Sequence, residues 1–141
     1  MPYDLYPRKK DVERISYGVF FWPYILLEIG VGLVIGAGNS IRPASYRYYP
    51  DKRGASPMSM DGYYVTKKNA CLMAAVARGW ASVERGKREE WESLSEEERT
   101  RMEEWNKDFV KTYSLPAALE TIEKVEGFAD FAEKSGGFRI K

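Results

Sequence analysis

SYGVFFWPYILLEIGVGLVIGAG, residues Ser16 to Gly38, contains one carboxylate, Glu28, and no basic side chain. Read as a helix it extends roughly 35 Å, enough to cross a hydrocarbon core of about 30 Å with modest tilt. Arg8, Lys9, Lys10 and Arg14 precede it, Arg42, Arg47, Lys52 and Arg53 follow it, and Tyr17, Trp22 and Tyr24 lie near its start. Basic flanks and interfacial aromatics are what a spanning helix shows at its boundaries. Four basic residues on each side leave its orientation open. Pro23 falls in the first turns, where a missing N–H matters least. The segment thus predicts a transmembrane helix over 16–38. The rival is a strand or helix buried in a folded core, favoured by Pro23, Glu28 and the β-branched content. The run is too long for a cleaved signal. Gly30, Gly32 and Gly36 narrowly miss the dinucleotide fingerprint, and the loop-like residues up to Pro43 leave no room for the helix that fingerprint needs.

Outward from this segment the chain divides into a basic N-terminal stretch, 1–15, a connector, 39–65, and a charged helical extension, 66–141. The connector is rich in Pro, Gly, Ser and Tyr and shows no sustained period, so it is expected to be extended. Its Tyr residues interleaved with Arg and Lys suit a nucleic-acid surface, a headgroup-level segment or a strap across a partner, and a neighbouring span favours the last two. In the extension, Thr66 is an N-cap candidate for a helix with Ala70, Met73, Val76, Ala77, Trp80 and Val83 on one side. Ser95-Glu96-Glu97-Glu98 is a capping box, followed by Met102, Trp105, Phe109 and Tyr113 along one face. These two helices are expected to pack together, burying Met73, Trp80, Met102, Trp105 and Phe109. Ser114-Leu115-Pro116 marks a break, and Ala118, Leu119, Ile122 and Val125 make a shorter helix before Gly127. In the tail, Phe128 and Phe131 are expected to dock, and Ser135-Gly136-Gly137 to end any helix. The fold class expected is all-α: one transmembrane helix, a connector, a charged hairpin and a short third helix.

The chain has 141 residues, 22 Lys+Arg against 21 Asp+Glu, no His and one Cys. That length suits one domain. Without His the commonest general base and metal ligand are missing, and Cys71 alone makes neither a disulfide nor a structural zinc site. No catalytic, metal or cofactor site is expected. A net charge of +1 argues against nucleic acid as a partner. Glu89, Glu90, Glu96, Glu97 and Glu98 gather where a helix begins, which is where acids belong. Trp91, Leu94, Ser95 and Glu98 resemble a turn of HMG boxes, yet residues 66–141 carry 14 Lys+Arg and 15 Asp+Glu, without the basic surface such boxes need.

The candidate site residues are Glu28, Gly32 and Gly36, which share one stripe of an uninterrupted helix at i+4 steps. Gly32-Leu33-Val34-Ile35-Gly36 is a GxxxG motif, whose missing side chains let two membrane helices approach closely. Glu28 on that stripe is expected to pair within the interface, with proton handling as the other reading.

An early GxxxG span (Gly32, Gly36), then a basic Tyr-containing segment (Arg42 to Arg53), then a charged helix: this layout resembles the single-pass supernumerary subunits of mitochondrial inner-membrane complexes, and among them the subunit e family of ATP synthase. The resemblance implies a non-catalytic accessory subunit of a respiratory-chain or ATP synthase complex, located in the mitochondrial inner membrane. Its partners would be the other subunits and the lipid bilayer, with no cofactor. The alternative is a soluble α-helical protein-interaction module with a buried apolar N-terminal segment.

Overall fold

The computed structural model describes residues 2–36, 48–49, 51–107 and 115–141. A four-stranded antiparallel sheet of order β2-β1-β4-β3 lies at its centre, built from β1 (Tyr3–Pro7), β2 (Ile15–Tyr17), β3 (Tyr63–Val65) and β4 (Phe138–Ile140). The two chain ends pair with each other, Leu5 opposite Ile140 and Tyr6 opposite Arg139. Strand alternation divides the side chains between two faces. Tyr3, Leu5, Tyr17, Tyr63, Val65, Phe138 and Ile140 are buried, while Asp4, Tyr6, Ser16, Tyr64 and Arg139 take the alternate positions.

Helices cover the buried face. Between β2 and β3 come α1 (Phe21–Leu27) and a 3₁₀ turn, Val31–Ile35; α2 (Lys67–Ser93), α3 (Glu96–Lys107) and α4 (Leu119–Lys134) follow β3. Thr66 caps α2, its Oγ accepting from the Asn69 N–H at 3.2 Å. Ala70, Met73, Ala74, Ala77 and Ala81 are buried along one stripe of α2. Small side chains there let α4 approach closely with Ile122, Val125, Phe128, Ala129 and Ala132. The helices run antiparallel, because Arg78 bonds Asp130 and Glu133 whereas Arg85 bonds Glu126. Buried Glu84 accepts from the Ala117 N–H at 2.9 Å and holds the approach to α4.

The expected transmembrane helix over 16–38 is corrected. Ser16 and Tyr17 belong to β2, α1 has seven residues, and Gly30, at φ +90°, ends the helical path before the 3₁₀ turn. A seven-residue helix is about 10 Å long, a third of a hydrocarbon core. No helix among the described residues is long and apolar enough to cross a membrane. Five of the segment's apolar side chains instead enter the chain's own core: Trp22, Ile25, Leu26, Val31 and Ile35 are at most 2% exposed, while Phe20 and Leu33 face solvent. The Trp22 ring lies 5.8 Å from Phe128 and stacks on Tyr17 at 6.4 Å, and its Nε1–H donates to Pro57 O at 3.0 Å. The all-α fold class therefore gives way to a sheet with helices on one face, and the single-pass placement in the mitochondrial inner membrane falls with the span.

The expected pairing of the first two helices of the extension is corrected as well. The partner of α2 is α4, and Trp105 on α3 is 63% exposed. With nine of its twelve residues charged or amide-bearing, α3 has too few apolar residues to form a stripe, whereas α4 has a continuous one. Phe109 and Tyr113 lie outside the described residues, as do connector positions 39–47. The capping box is present: the Glu98 N–H donates to Ser95 Oγ at 3.2 Å and the Ser95 N–H to Glu98 Oε1 at 3.4 Å. Gly127 does not stop α4, since burial of Val125, Phe128 and Ala129 outweighs the roughly 1 kcal/mol a mid-helix Gly costs. Ser135-Gly136-Gly137 does stop it. Gly136 and Gly137 have φ of +71° and +104°, and a Cβ at Gly137 would lie 2.8 Å from Val65 O.

Candidate functional site: the open face of the sheet

The face of the sheet turned away from the helices carries a row of alternating cations and rings. Tyr6 on β1 is opposite Arg139 on β4, and Arg139 is opposite Tyr64 on β3. Neighbouring strands are about 4.8 Å apart, so these three side chains stand side by side. The Arg139 guanidinium carbon lies 5.0 Å from the Tyr64 ring centroid, and Lys141 Nζ lies 5.2 Å from that of Tyr6. Arg14, just ahead of β2, closes the row: its Nη1 donates to Tyr6 Oη at 2.8 Å and lies 3.8 Å from Asp4. Asp4 also accepts from Ser16 Oγ.

At the β3 end of the row the cations converge. Arg53 Nη2 and Arg139 Nη1 both donate to Gly62 O, at 2.6 and 3.2 Å. The stem of Lys141 lies beside Gly62 as well, its Cε 4.0 Å from where a Cβ would stand. Two guanidinium groups sharing one oxygen are no more than about 6 Å apart, and repel by about 1 to 3 kcal/mol between water-like and surface dielectric. Among the described residues no carboxylate comes within 4 Å of the charged groups of Arg8, Arg53, Arg139 or Lys141. Of the nearby acids, Asp61 precedes Gly62 and makes no ion pair within 4 Å among the described residues, and Asp51 is directed at backbone. Its Oδ1 accepts from the N–H groups of Arg53 and Ala55 at 2.8 and 3.0 Å, and its Oδ2 from that of Tyr64 at 3.0 Å. Desolvation pushes the Asp51 carboxyl up, but these three bonds and the charge of Arg53 outweigh it and hold the pKa below the usual carboxylate value.

The helical layer is the contrast. Arg78, Arg85, Arg88 and Arg101 each pair with a carboxylate. The net charge of +1 thus divides unevenly: residues 66–138 carry 12 Lys+Arg against 15 Asp+Glu, a net of −3, and the rest of the chain 10 against 6, a net of +4.

Two clefts meet at the row. One, about 390 Å³, is lined by Tyr6, Arg8, Tyr64 and Arg139; the other, about 600 Å³, shares Tyr64 and Arg139 and continues past the β3 edge. Val34, Ile35, Tyr49 and Tyr63 form the apolar part of the larger cleft, and Lys52, Arg53 and Asn69 lie on its walls. Tyr63 Oη donates to Tyr49 O at 2.9 Å, joining the connector to β3, and burial followed by the charge of Asp51 raises the Tyr63 phenol.

The residues singled out from sequence lie elsewhere and do not form one stripe. Glu28 is exposed at the end of α1, its N–H donating to Tyr24 O at 2.9 Å. Gly32 is buried in the 3₁₀ turn, where a Cβ would lie 2.6 Å from Leu26 O and 2.9 Å from the Tyr48 ring. Gly36 has φ +102°, and a Cβ there would lie 2.6 Å from the Tyr49 ring. Both glycines permit close approach, but by tyrosines of the same chain. The Tyr48 phenol above Gly32 is pushed up to about 12 by burial. Tyr6, Arg53, Tyr64 and Arg139 are not among the residues that the sequence singles out. Their available signal was the alternation in YDLYP and FRI, which sends Tyr6 and Arg139 to the face opposite Leu5 and Ile140.

Among the described residues no three His, Cys, Asp or Glu side chains are gathered as a metal site would require. The arrangement is suited to holding an anion against aromatic rings. No protein-family model, no curated protein and no solved structure matches this chain.

Proposed function

We propose that this chain is a non-catalytic interaction module, whose apolar N-terminal segment is its own core and whose open sheet face docks an anionic partner. The observation that carries this reading is the convergence of Arg53, Arg139 and Lys141 around Gly62 without a carboxylate at their charged ends. Mutual repulsion of that kind lowers stability unless an anion relieves it, and the same sequence pairs its arginines readily in the helical layer. The row also lacks an activated nucleophile or a general base, so it supports binding and not turnover.

The test uses the isoelectric point of about 7.7. Above that pH the whole chain is net negative, so retention on a heparin column comes from local charge alone. The Arg53→Gln/Arg139→Gln protein should elute at markedly lower salt than wild type. The Arg78→Gln/Arg85→Gln protein, with the same change in net charge, should elute near wild type. Equal losses in the two proteins would rule out the sheet face as the docking surface.

A further inference from the structure

We infer that the anionic partner is a single-stranded nucleic acid, which crosses the sheet along the Tyr6–Arg139–Tyr64 row and places a phosphate between Arg53 and Arg139 and a base in the larger cleft. This rests on the interaction-module reading and specifies the chemistry of its partner. Three features narrow it.

The cations of this face are interleaved with rings: Arg139 over Tyr64, Lys141 and Arg14 over Tyr6. Bases that are not paired stack on aromatic rings and on guanidinium groups alike, while their phosphates need positive charge within reach. An acidic peptide is satisfied by the cations and has no use for the rings.

The concave shape matters as well. Beside the phosphate position at Gly62, the larger cleft joins apolar walls, Val34, Ile35 and Tyr63, to the Tyr49 ring, which is 60% exposed. That combination fits a flat apolar base next to its own phosphate. A duplex keeps its bases stacked inside and cannot place one there. The two clefts share Tyr64 and Arg139, so a ligand seated in one continues into the other, as a strand does and a single nucleotide does not.

The near-neutral composition is no obstacle, because residues 66–138 have a net charge of −3 and the rest of the chain +4, and Arg8, Arg14, Arg53, Arg139 and Lys141 gather on the sheet face with Asp4, Asp51 and, next to Gly62, Asp61 as the nearby acids. With about three phosphates engaged, the logarithm of affinity should fall with the logarithm of salt concentration with a slope of about −2.

The experiment is fluorescence anisotropy of the full chain with an end-labelled thymidylate strand of about twelve nucleotides, within the range that sheet-type single-strand sites cover. Wild type should bind with that salt slope, and an unlabelled strand should compete far better than a duplex of equal length, polyglutamate or free thymidine monophosphate. Tyr49→Ala and Tyr6→Leu should each weaken binding roughly five- to a hundredfold, the range that loss of one stacked base produces, with unchanged circular dichroism and urea midpoint. Under the same conditions both tyrosine variants should keep wild-type elution from heparin, since their cations remain. Equal competition by polyglutamate or duplex, by the mononucleotide, or tyrosine variants that bind like wild type, overturns the nucleic-acid assignment. If heparin elution still depends on Arg53 and Arg139 in that event, the module reading stands with an acidic protein as partner. If that dependence is absent too, both readings fail together.

Discussion

Replacing Trp22 by Ala separates a core residue from a membrane-interface residue. Trp22 is 0% exposed, its ring lies 6.5, 6.4 and 5.8 Å from those of Tyr3, Tyr17 and Phe128, and its Nε1–H donates to Pro57 O at 3.0 Å. Truncation removes the largest fully buried side chain and leaves a cavity between sheet and helices, which costs about 3 to 5 kcal/mol. Pro57 O loses its donor, adding about 1 kcal/mol. A domain of this size has a stability of about 5 to 15 kcal/mol, so the variant should fold but with much of its margin gone. At an m-value of about 2 kcal/mol per molar urea, the midpoint should fall by about 2 to 3 M. Trp22→Phe keeps a ring and loses the hydrogen bond, and should fall between. Val83→Ala, at a side chain 59% exposed, is the internal control and should shift the midpoint by no more than about 0.3 M. The assay is equilibrium urea unfolding of the detergent-free protein followed by far-ultraviolet circular dichroism. A Trp22→Ala midpoint within the Val83→Ala range would refute the placement of this segment in the core.

Gly32→Leu should destabilise the isolated chain by about 1 to 3 kcal/mol, because its Cβ meets the Leu26 backbone carbonyl at 2.6 Å; an unchanged urea midpoint would contradict that packing. For Asp51 the folded pKa is lowered, so its contribution to stability is present above the usual carboxylate pKa and is lost as pH falls below it. The stability gap between wild type and Asp51→Asn should therefore be widest near neutral pH and narrow from about pH 5 to pH 3, and a gap independent of pH would show that the Asp51 charge does not matter.

Local signals were legible where neighbouring residues settle the outcome among themselves. The Thr66 cap, the Ser95–Glu98 box and the Ser135-Gly136-Gly137 stop all rest on bonds or dihedrals within four residues, and each is in place. So does the start of the apolar stripe expected over Ala70, Met73, Val76, Ala77, Trp80 and Val83, since its period depends on helix geometry alone; Ala70, Met73 and Ala77 are buried, Val76 and Trp80 half-buried, and Val83 is 59% exposed. The docking of Phe128 and Phe131 also came through, since large rings near a helix end have little alternative to burial.

Apolar content indicated that much of the segment from Ser16 leaves water, but neither which side chains nor into what: Phe20 and Leu33 stay 88% and 66% exposed. A lipid core and a protein core attract the same side chains, and the difference lies in whether the backbone can be satisfied away from one continuous helix. Here Ser16 and Tyr17 find partners in β1, Phe128 packs on Tyr17 from α4, and Tyr48 and Tyr49 come from elsewhere in the chain to pack on Gly32 and Gly36. The same holds for the site. Tyr6, Arg53, Tyr64 and Arg139 are up to 133 positions apart, and each strand is three to five residues long, too short to declare its period by itself. Composition set the total charge at +1; pairing across the fold, helix to helix on one side and end to end through the sheet on the other, determined which of those charges cancel and which remain exposed to a partner.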